Sequence, residues 1–280
     1  MRHAYLIIAH NEFDVLRLLV SKLDDFCNDI FVHIDKKVEE VPSLNTVRSK
    51  LYVLDRRIDV RWGHVSQIET ELLLFETAIK NDVYDYYHLI SGTHLPIQTL
   101  SSINSFFEAN KGMEIMRLWE YDAKDVSNKL QTYHFFMRWY NSKLVFVRNC
   151  VQVFWRFSLN FQHYIGVKRN AMTSFVKADN WVSLTHGAVK YLVDNKRVIL
   201  RKYKNTFCGD EYFVPTELSA CGQRFKIRNC INLLYVRFDG ANAVQLGLDD
   251  LNVLTRSNYL FARKFSSDSE VLKIFDSRYA

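Results

Sequence analysis

Two short segments of this chain carry the side-chain types that group-transfer chemistry needs. Cys208-Gly209-Asp210-Glu211-Tyr212-Phe213 puts two adjacent carboxylates behind a glycine. Asp210 reads as a helix N-cap and Glu211 as a first-turn acid, where the helix dipole favours a carboxylate. Facing a pocket, Glu211 would be a general base; facing solvent, the pair would only start a helix. The second segment, Phe261-Ala262-Arg263-Lys264-Phe265, holds two adjacent cations between aromatics. Such cations are either a solvated edge or a cradle for a leaving diphosphate, whose charge grows in the transition state. Arg237, after the apolar run Leu233 to Val236, is a third cation of this kind.

What the sequence lacks narrows the chemistry. Sugar-nucleotide transferases often hold Mg²⁺ or Mn²⁺ through an Asp-x-Asp placed after a strand, and no Asp-x-Asp occurs here. The pairs Asp24-Asp25 and Asp249-Asp250 read as solvated helix faces. If the substrate is a diphosphate, fixed Lys and Arg must supply the electrostatics that a metal would otherwise supply. Dinucleotide and P-loop glycine patterns, His-Glu-x-x-His and Gly-x-Ser-x-Gly are all absent. The histidines show no metal-ligand spacing. Five cysteines without a Cys-x-x-C read as buried free thiols.

These side chains need a frame. Tyr5 to Ala9 is a continuous apolar run of strand length, as in a strand buried on both faces. Phe13 to Leu23 has helical spacing, with Val15, Leu18, Leu19 and Leu23 on one face. Ile30 to Ile34, Leu51 to Leu54 and Tyr86 to Ile90 read as further strands. Ser66-Gln67-Ile68-Glu69 reads as a capping box opening a helix. Strands are also expected near Trp181 to Leu184 and Leu233 to Phe238, and one helix over Gly187 to Arg201. Strands alternating with helices predict a parallel α/β sheet. In such sheets ligands sit beyond the carboxyl ends of the strands. That rim would gather His10-Asn11, Asp35-Lys36-Lys37 and Ser91-Gly92-Thr93-His94, a polar set suited to a nucleotide-like ligand.

The 280 residues, 48% hydrophobic, suffice for one large domain, so 1–280 reads as a single unit. Residues 120–178 differ in character and are expected to be mostly helical. From Asp125 to Asp179 no acidic residue intervenes, while eight Lys and Arg do. Those eight exceed the whole net charge of +6, so the rest of the chain is mildly acidic. One concentrated basic segment implies one anionic partner surface. Its aromatics include Tyr133, Phe135, Phe136, Trp139, Phe146, Trp155, Phe157 and Phe161. Two readings stand: a lid that packs its aromatics inward with Lys and Arg solvated, or a surface lying on an anionic membrane. A nucleic-acid or anionic-surface binding module would use the same features, but would leave Glu211 and the strand-end clusters without a role. No stretch is long and apolar enough to be a signal peptide or a span, which predicts a cytoplasmic protein, peripheral on the inner membrane face if the second reading holds.

Taken together, the segments resemble the core-2/I-branching β-1,6-N-acetylglucosaminyltransferase family, which also contains peptide O-xylosyltransferases, in a bacterial-type form. The resemblance rests on Ala4–Asn11, Val32–Lys37, Arg61-Trp62-Gly63, Tyr87–Ile97, Asn180–Leu184, Gly209-Asp210-Glu211 and Phe261–Phe265, which stand in family order. It departs in His94, where many relatives carry Asp, and in Val182, where an aromatic is usual. The family implies a GT-A-type fold, an inverting mechanism, a UDP-sugar donor, a glycan or lipid-linked glycan acceptor, and neither metal nor other cofactor. Nucleic acid is not an expected partner. The family's base aligns with Glu211, its uridine-contacting Asp with Asp35 and its diphosphate Lys with Lys264. The accompanying Arg is Arg237 or Arg263. Ala9, His10, Arg61, Trp62 and Ser91 complete the expected donor side. Glu114, Trp181 and Asp210 are the acceptor-side candidates. GlcNAc is the family's most frequent donor sugar, with xylose next.

Overall fold

A computed structural model describes residues 1–240 and 242–279. In chain order the elements begin β1 (His3–Ala9), α1 (Phe13–Leu23), β2 (Asn28–Ile34), β3 (Lys50–Val53), α2 (Ser66–Asn81), β4 (Tyr86–Ser91), β5 (Leu95–Pro96), α3 (Leu100–Ala109), β6 (Met113–Met116) and β7 (Leu118–Trp119). The basic middle holds α4 (Ala123–Leu130), a 3₁₀ turn at Met137–Trp139 and α5 (Val145–Tyr164). Then come β8 (Lys177–Ala178), β9 (Ser183–Thr185), α6 (His186–Asp194), α7 (Lys196–Tyr203), α8 (Phe213–Ser219), β10 (Lys226–Asn229) and β11 (Leu234–Val236). The last elements are β12 (Phe238–Asp239), β13 (Asn242–Ala243), α9 (Leu251–Arg256), β14 (Phe261–Arg263) and α10 (Glu270–Tyr279).

The main sheet has the order β10-β6-β9-β4-β1-β2-β3. The β1–β2, β1–β4, β2–β3 and β6–β10 pairs are parallel. Only β9 runs against its neighbours β4 and β6, so the expected α/β fold with a mostly parallel sheet is present. Side-chain alternation along β1 explains its continuous apolar run. Tyr5 and Ile7 join the core beneath α1, while Ala4 and Leu6 join the core beneath α2, α6 and α7. A second, three-stranded sheet, β11-β14-β5, packs against the α1 face.

Several local expectations change. Ser66 opens α2, but its hydroxyl accepts the Arg61 N–H at 2.9 Å and makes no helix cap. The loop before the helix has claimed the side chain. The predicted Gly187–Arg201 helix is two helices broken at Asn195, whose side chain donates to the Tyr191 carbonyl at 2.9 Å. Asp210 is no N-cap: it lies in a 3₁₀ turn, Gly209–Glu211, that precedes α8. The strand expected over Leu233–Phe238 is present as β11 and the start of β12, with β11 pairing to β14 outside the main sheet. All five thiols are free, but Cys27 and Cys150 are exposed, not buried.

The inward-packed lid is also corrected. Trp155, half-buried, donates its indole N–H to His134 Nδ1 at 2.7 Å, and Met137 is buried. Phe146, Phe157, Phe161 and Tyr164 instead stay exposed. The 120–178 segment is also only partly helical, with irregular backbone between its elements.

Buried histidines brace the sheet. His3 Nδ1 lies 2.8 Å from His88 Nε2, and His88 Nδ1 lies 2.8 Å from Ser183 Oγ. Both rings are neutral, since burial pushes His3 down to about 4 and His88 well below the usual range. Burial likewise lowers His10, His33, His64, His94 and His134. A histidine held neutral in the fold contributes stability that is complete above about pH 6.5 and lost as pH falls toward its folded value. Burial raises four carboxyls, Glu71, Glu114, Asp179 and Asp210, which act oppositely. Seven groups oppose four, so the thermal midpoint should fall between pH 7 and pH 5. A midpoint that holds or rises across that interval in a calorimetric scan would contradict this assignment.

Candidate active site

The carboxyl ends of β1, β2 and β4 open onto a cavity of about 490 Å³. Ala9, His10, Asp35, Ser91, Gly92 and Thr93 line it, as the strand-end argument expects. Gly92 is required there: a Cβ at this position would lie 2.7 Å from that of Ala9. Asp35 receives the Lys37 backbone N–H at 2.8 Å and the Lys37 ammonium at 2.7 Å. Its outer oxygen also accepts from the Val60 N–H at 3.3 Å. Asp35 therefore fixes the Asp35–Lys37 turn to the Val60 loop at the cavity edge.

A second cavity, about 700 Å³, adjoins the first. Trp62, Gln67, Trp181, Arg263 and Lys264 line both and form their common wall. Glu211, Asp210, Lys177, Asp179, Asn180, Trp119 and Phe238 line only the second. The Lys177 ammonium lies 3.3 Å from Glu211 Oε2 and orients that carboxylate. Trp119 donates its indole N–H to Asp179 Oδ1 at 2.7 Å. Asp125 is held by Lys129 at 3.0 Å and by the Tyr212 hydroxyl at 2.9 Å.

The common wall is built by stacking. Arg263 lies over the Trp181 ring at 4.9 Å, and His94 meets that ring edge-on, also at 4.9 Å. His94 Nδ1 accepts from the Ser91 N–H at 3.1 Å, and burial followed by the nearby Arg263 charge keeps the ring neutral. An aspartate at position 94 would offer Arg263 a counter-charge. The neutral imidazole leaves that charge free to act in the cavity. Arg263 Nε is buried without a hydrogen-bond partner, and burial lowers the guanidinium to about 10, which leaves it protonated at neutral pH. Lys264 is lowered by burial and then by Arg263.

Trp62 reaches the wall through a tight turn. Gly63 has φ +68°, and a Cβ there would lie 2.4 Å from the Phe207 ring. The Gly63 carbonyl accepts from the Cys208 N–H at 3.0 Å, which ties the Trp62 loop to the Glu211 segment.

Three sequence candidates stand apart from this arrangement. Arg237 lines neither cavity; it pairs with buried Asp250 at 3.2 Å. Arg263 is thus the Arg beside Lys264. Glu114 is buried, and its oxygens accept from Thr185 N and Oγ1 at 2.8 and 2.7 Å, so it braces the start of α6. Arg61 also lines neither cavity and pairs with Asp59 at 2.9 Å. Burial works against ionisation of Asp59, but Arg61, Lys37 and Arg138 together hold it down at about 2.

Sequence reasoning missed Lys177, Trp119 and Glu71. Lys177 was visible only as one of eight basic residues, although it lies four positions before Trp181. Glu71 gave no signal, because it sits mid-helix in α2. It is fully buried, with the Asn180 amide as its polar neighbour and no cation beside it among the described residues. Burial first, then the charge of Asp210, pushes it well above the carboxylate range. Asp210 is itself raised to about 7, by burial and then by Glu211. A carboxyl raised in the fold loses its stability contribution as pH climbs through its folded value. Glu71→Gln should therefore melt above wild type at pH 8 and level with it at pH 5. A variant less stable than wild type at both values would show that Glu71 is not held neutral.

Residues 3–235 match the family described as Core-2/I-Branching enzyme. Among curated proteins, none matches the chain at a significant level. Among solved structures the chain is similar to the apo crystal structure of mouse xyloside xylosyltransferase 1. The two share 9% identity over 93% of this chain and 96% of that one, with a TM-score of 0.41, too slight a likeness to argue from. The family match includes the strand-end rim and Glu211 but stops before the cavity residues from Val236 onward, Arg263 and Lys264 among them; on that match the chain belongs to the Core-2/I-branching enzyme family of UDP-sugar-dependent glycosyltransferases.

Proposed function

We propose that this enzyme transfers a sugar, GlcNAc in the first instance, from its UDP donor to a hydroxyl of a glycan, with inversion and without a metal. The reading is carried by one observation: two cavities meet at a wall bearing Arg263 and Lys264, and Glu211 lies on the far side of it. The nucleotide would occupy the strand-end cavity beside His10, Asp35 and Ser91, with its diphosphate at the wall. The acceptor would enter the larger cavity, where the Trp181 face suits a sugar ring.

Glu211 takes the proton of the acceptor hydroxyl as its oxygen attacks the anomeric carbon. The bond to the diphosphate oxygen breaks on the opposite face, and its electron pair leaves with UDP. An α-linked donor thus gives a β-glycoside. Lys264 and Arg263 offset the charge gathering on UDP, where fixed cations need no reorganisation. The carboxylates around the cavities support the metal-free reading. Asp35, Asp125 and Asp179 are each engaged by Lys or by tyrosine and indole donors. Among the described residues, no group of three or more His, Cys, Asp or Glu is arranged to hold a metal ion.

A donor screen that follows UDP release, with UDP-xylose beside UDP-GlcNAc, tests the choice of sugar. Glu211→Gln should lower kcat by roughly 10²–10⁴ while UDP affinity stays unchanged. Wild-type turnover in that variant would remove Glu211 from the mechanism. Lys264→Ala should lower kcat by about 10²–10³. Activity should survive EDTA; activity lost to EDTA and restored by Mn²⁺ would overturn the metal-free reading. An α-configured product in the anomeric NMR signals would overturn inversion.

A further inference from the structure

Helix α5 packs the wrong way round for a soluble protein. Successive residues turn by about 100°, so Val151, Trp155, Ser158 and Gln162 share one face. That face points inward and is held by polar contacts. Gln162 accepts from the Tyr133 N–H at 2.7 Å and donates to the Tyr133 carbonyl at 2.9 Å. Trp155 donates to His134 at 2.7 Å, and Gln152 donates to the Tyr140 carbonyl at 3.3 Å. The opposite face carries Phe146, Val153, Phe157, Phe161 and Tyr164, which are 79, 67, 66, 51 and 88% exposed. Leu144 and Ile165 extend it beyond each helix end, at 68 and 53%. A soluble monomer rarely leaves so continuous an apolar stripe in water.

The charge around the stripe selects what covers it. Lys143, Arg156 and Lys168 are exposed, and no acidic residue stands between Asp125 and Asp179. A second copy would bring the same cations to the contact. An anionic surface would neutralise them. α5 carries Arg148 and Arg156 among its 20 residues, and no helix among the described residues is long and apolar enough to cross a membrane. We propose that α5 lies flat on an anionic lipid bilayer, with its phenyl rings at the headgroup level and its cations against the lipid phosphates. The helix meets the catalytic cavity through Trp155, which contacts Phe207 at 5.8 Å, a residue of the cavity lining. Docking would therefore hold the acceptor cavity close to the membrane surface, in reach of a lipid-linked glycan.

Flotation of the full chain with vesicles tests this without any sugar, so the result is separable from the transferase reading. Phosphatidylcholine vesicles containing phosphatidylglycerol should retain the protein at low salt, and binding should weaken as salt rises. The variant Phe146→Ser/Phe157→Ser/Phe161→Ser and the variant Lys143→Gln/Arg156→Gln/Lys168→Gln should each lose affinity by about tenfold or more. Both change exposed positions, so melting curves and UDP affinity should match wild type. Wild type left unbound by anionic vesicles, or bound equally by pure phosphatidylcholine, would overturn the proposal. So would a concentration-dependent dimer that the phenylalanine variant abolishes, or salt-sensitive oligonucleotide binding with no vesicle binding.

Discussion

Parallel pairing of β1 with both β2 and β4 is the constraint from which the site follows. The three strands run in register and are buried on both faces, so apart from neutral buried histidines such as His88 the polar residues that can meet a ligand stand at the ends. Those ends bring Ala9-His10, Asp35 and Ser91-Gly92 to one rim. Gly92 permits the closest approach, where a methyl group would collide with Ala9. The second sheet then delivers Arg263 and Lys264 to the same rim, because β14 pairs with β5 just beyond β4. Without the first pairing there is no nucleotide-sized cavity, and without the second that cavity loses Arg263 and Lys264.

The charge balance across the wall is uneven in a way that suits a diphosphate. Most carboxylates near the site are already engaged: Asp35 by Lys37, Asp59 by Arg61 and Arg138, Asp125 by Lys129. Among the described residues, Arg263 has the Trp181 face, a neutral His94 and the Lys264 ammonium near it, and Asp179 is the acid that raises it. A buried cation of this kind costs stability in the empty protein and recovers it when an anion arrives. The buried carboxyls Glu71 and Asp210 are the acidic counterpart, each raised by burial. Burial keeps Glu71 neutral, so it places no second charge beside Asp210.

The basic middle segment shows that one pattern of aromatics can be packed in two directions. Trp155, Met137 and Tyr140 gather around Phe207, which lines the larger cavity. The phenylalanines one helical face away do not. Polar hydrogen bonds through Gln152 and Gln162, together with Trp155 against Phe207, hold the inward face of α5.

The strands β1 to β4 and helices α1 and α2 were legible to within a residue or two, because a buried strand and an amphipathic helix each write a period into their own sequence. The rim at His10, Asp35 and Ser91 was legible for the same reason, once a parallel sheet was inferred. The ordered family segments pointed to Glu211 and Lys264, which local pattern alone left as a helix start and a solvated edge. Tertiary structure decided what depends on partners distant in the chain. Arg263 stands at the wall while Arg237 turns to Asp250, Glu114 serves Thr185, and Lys177 reaches Glu211. It also decided that Asp210 caps nothing and that Glu71 lies fully buried within reach of the Asp210 charge. An ion pair, a stacked ring or a desolvated carboxyl is a property of two or more segments meeting in space, and no single segment carries a trace of the other.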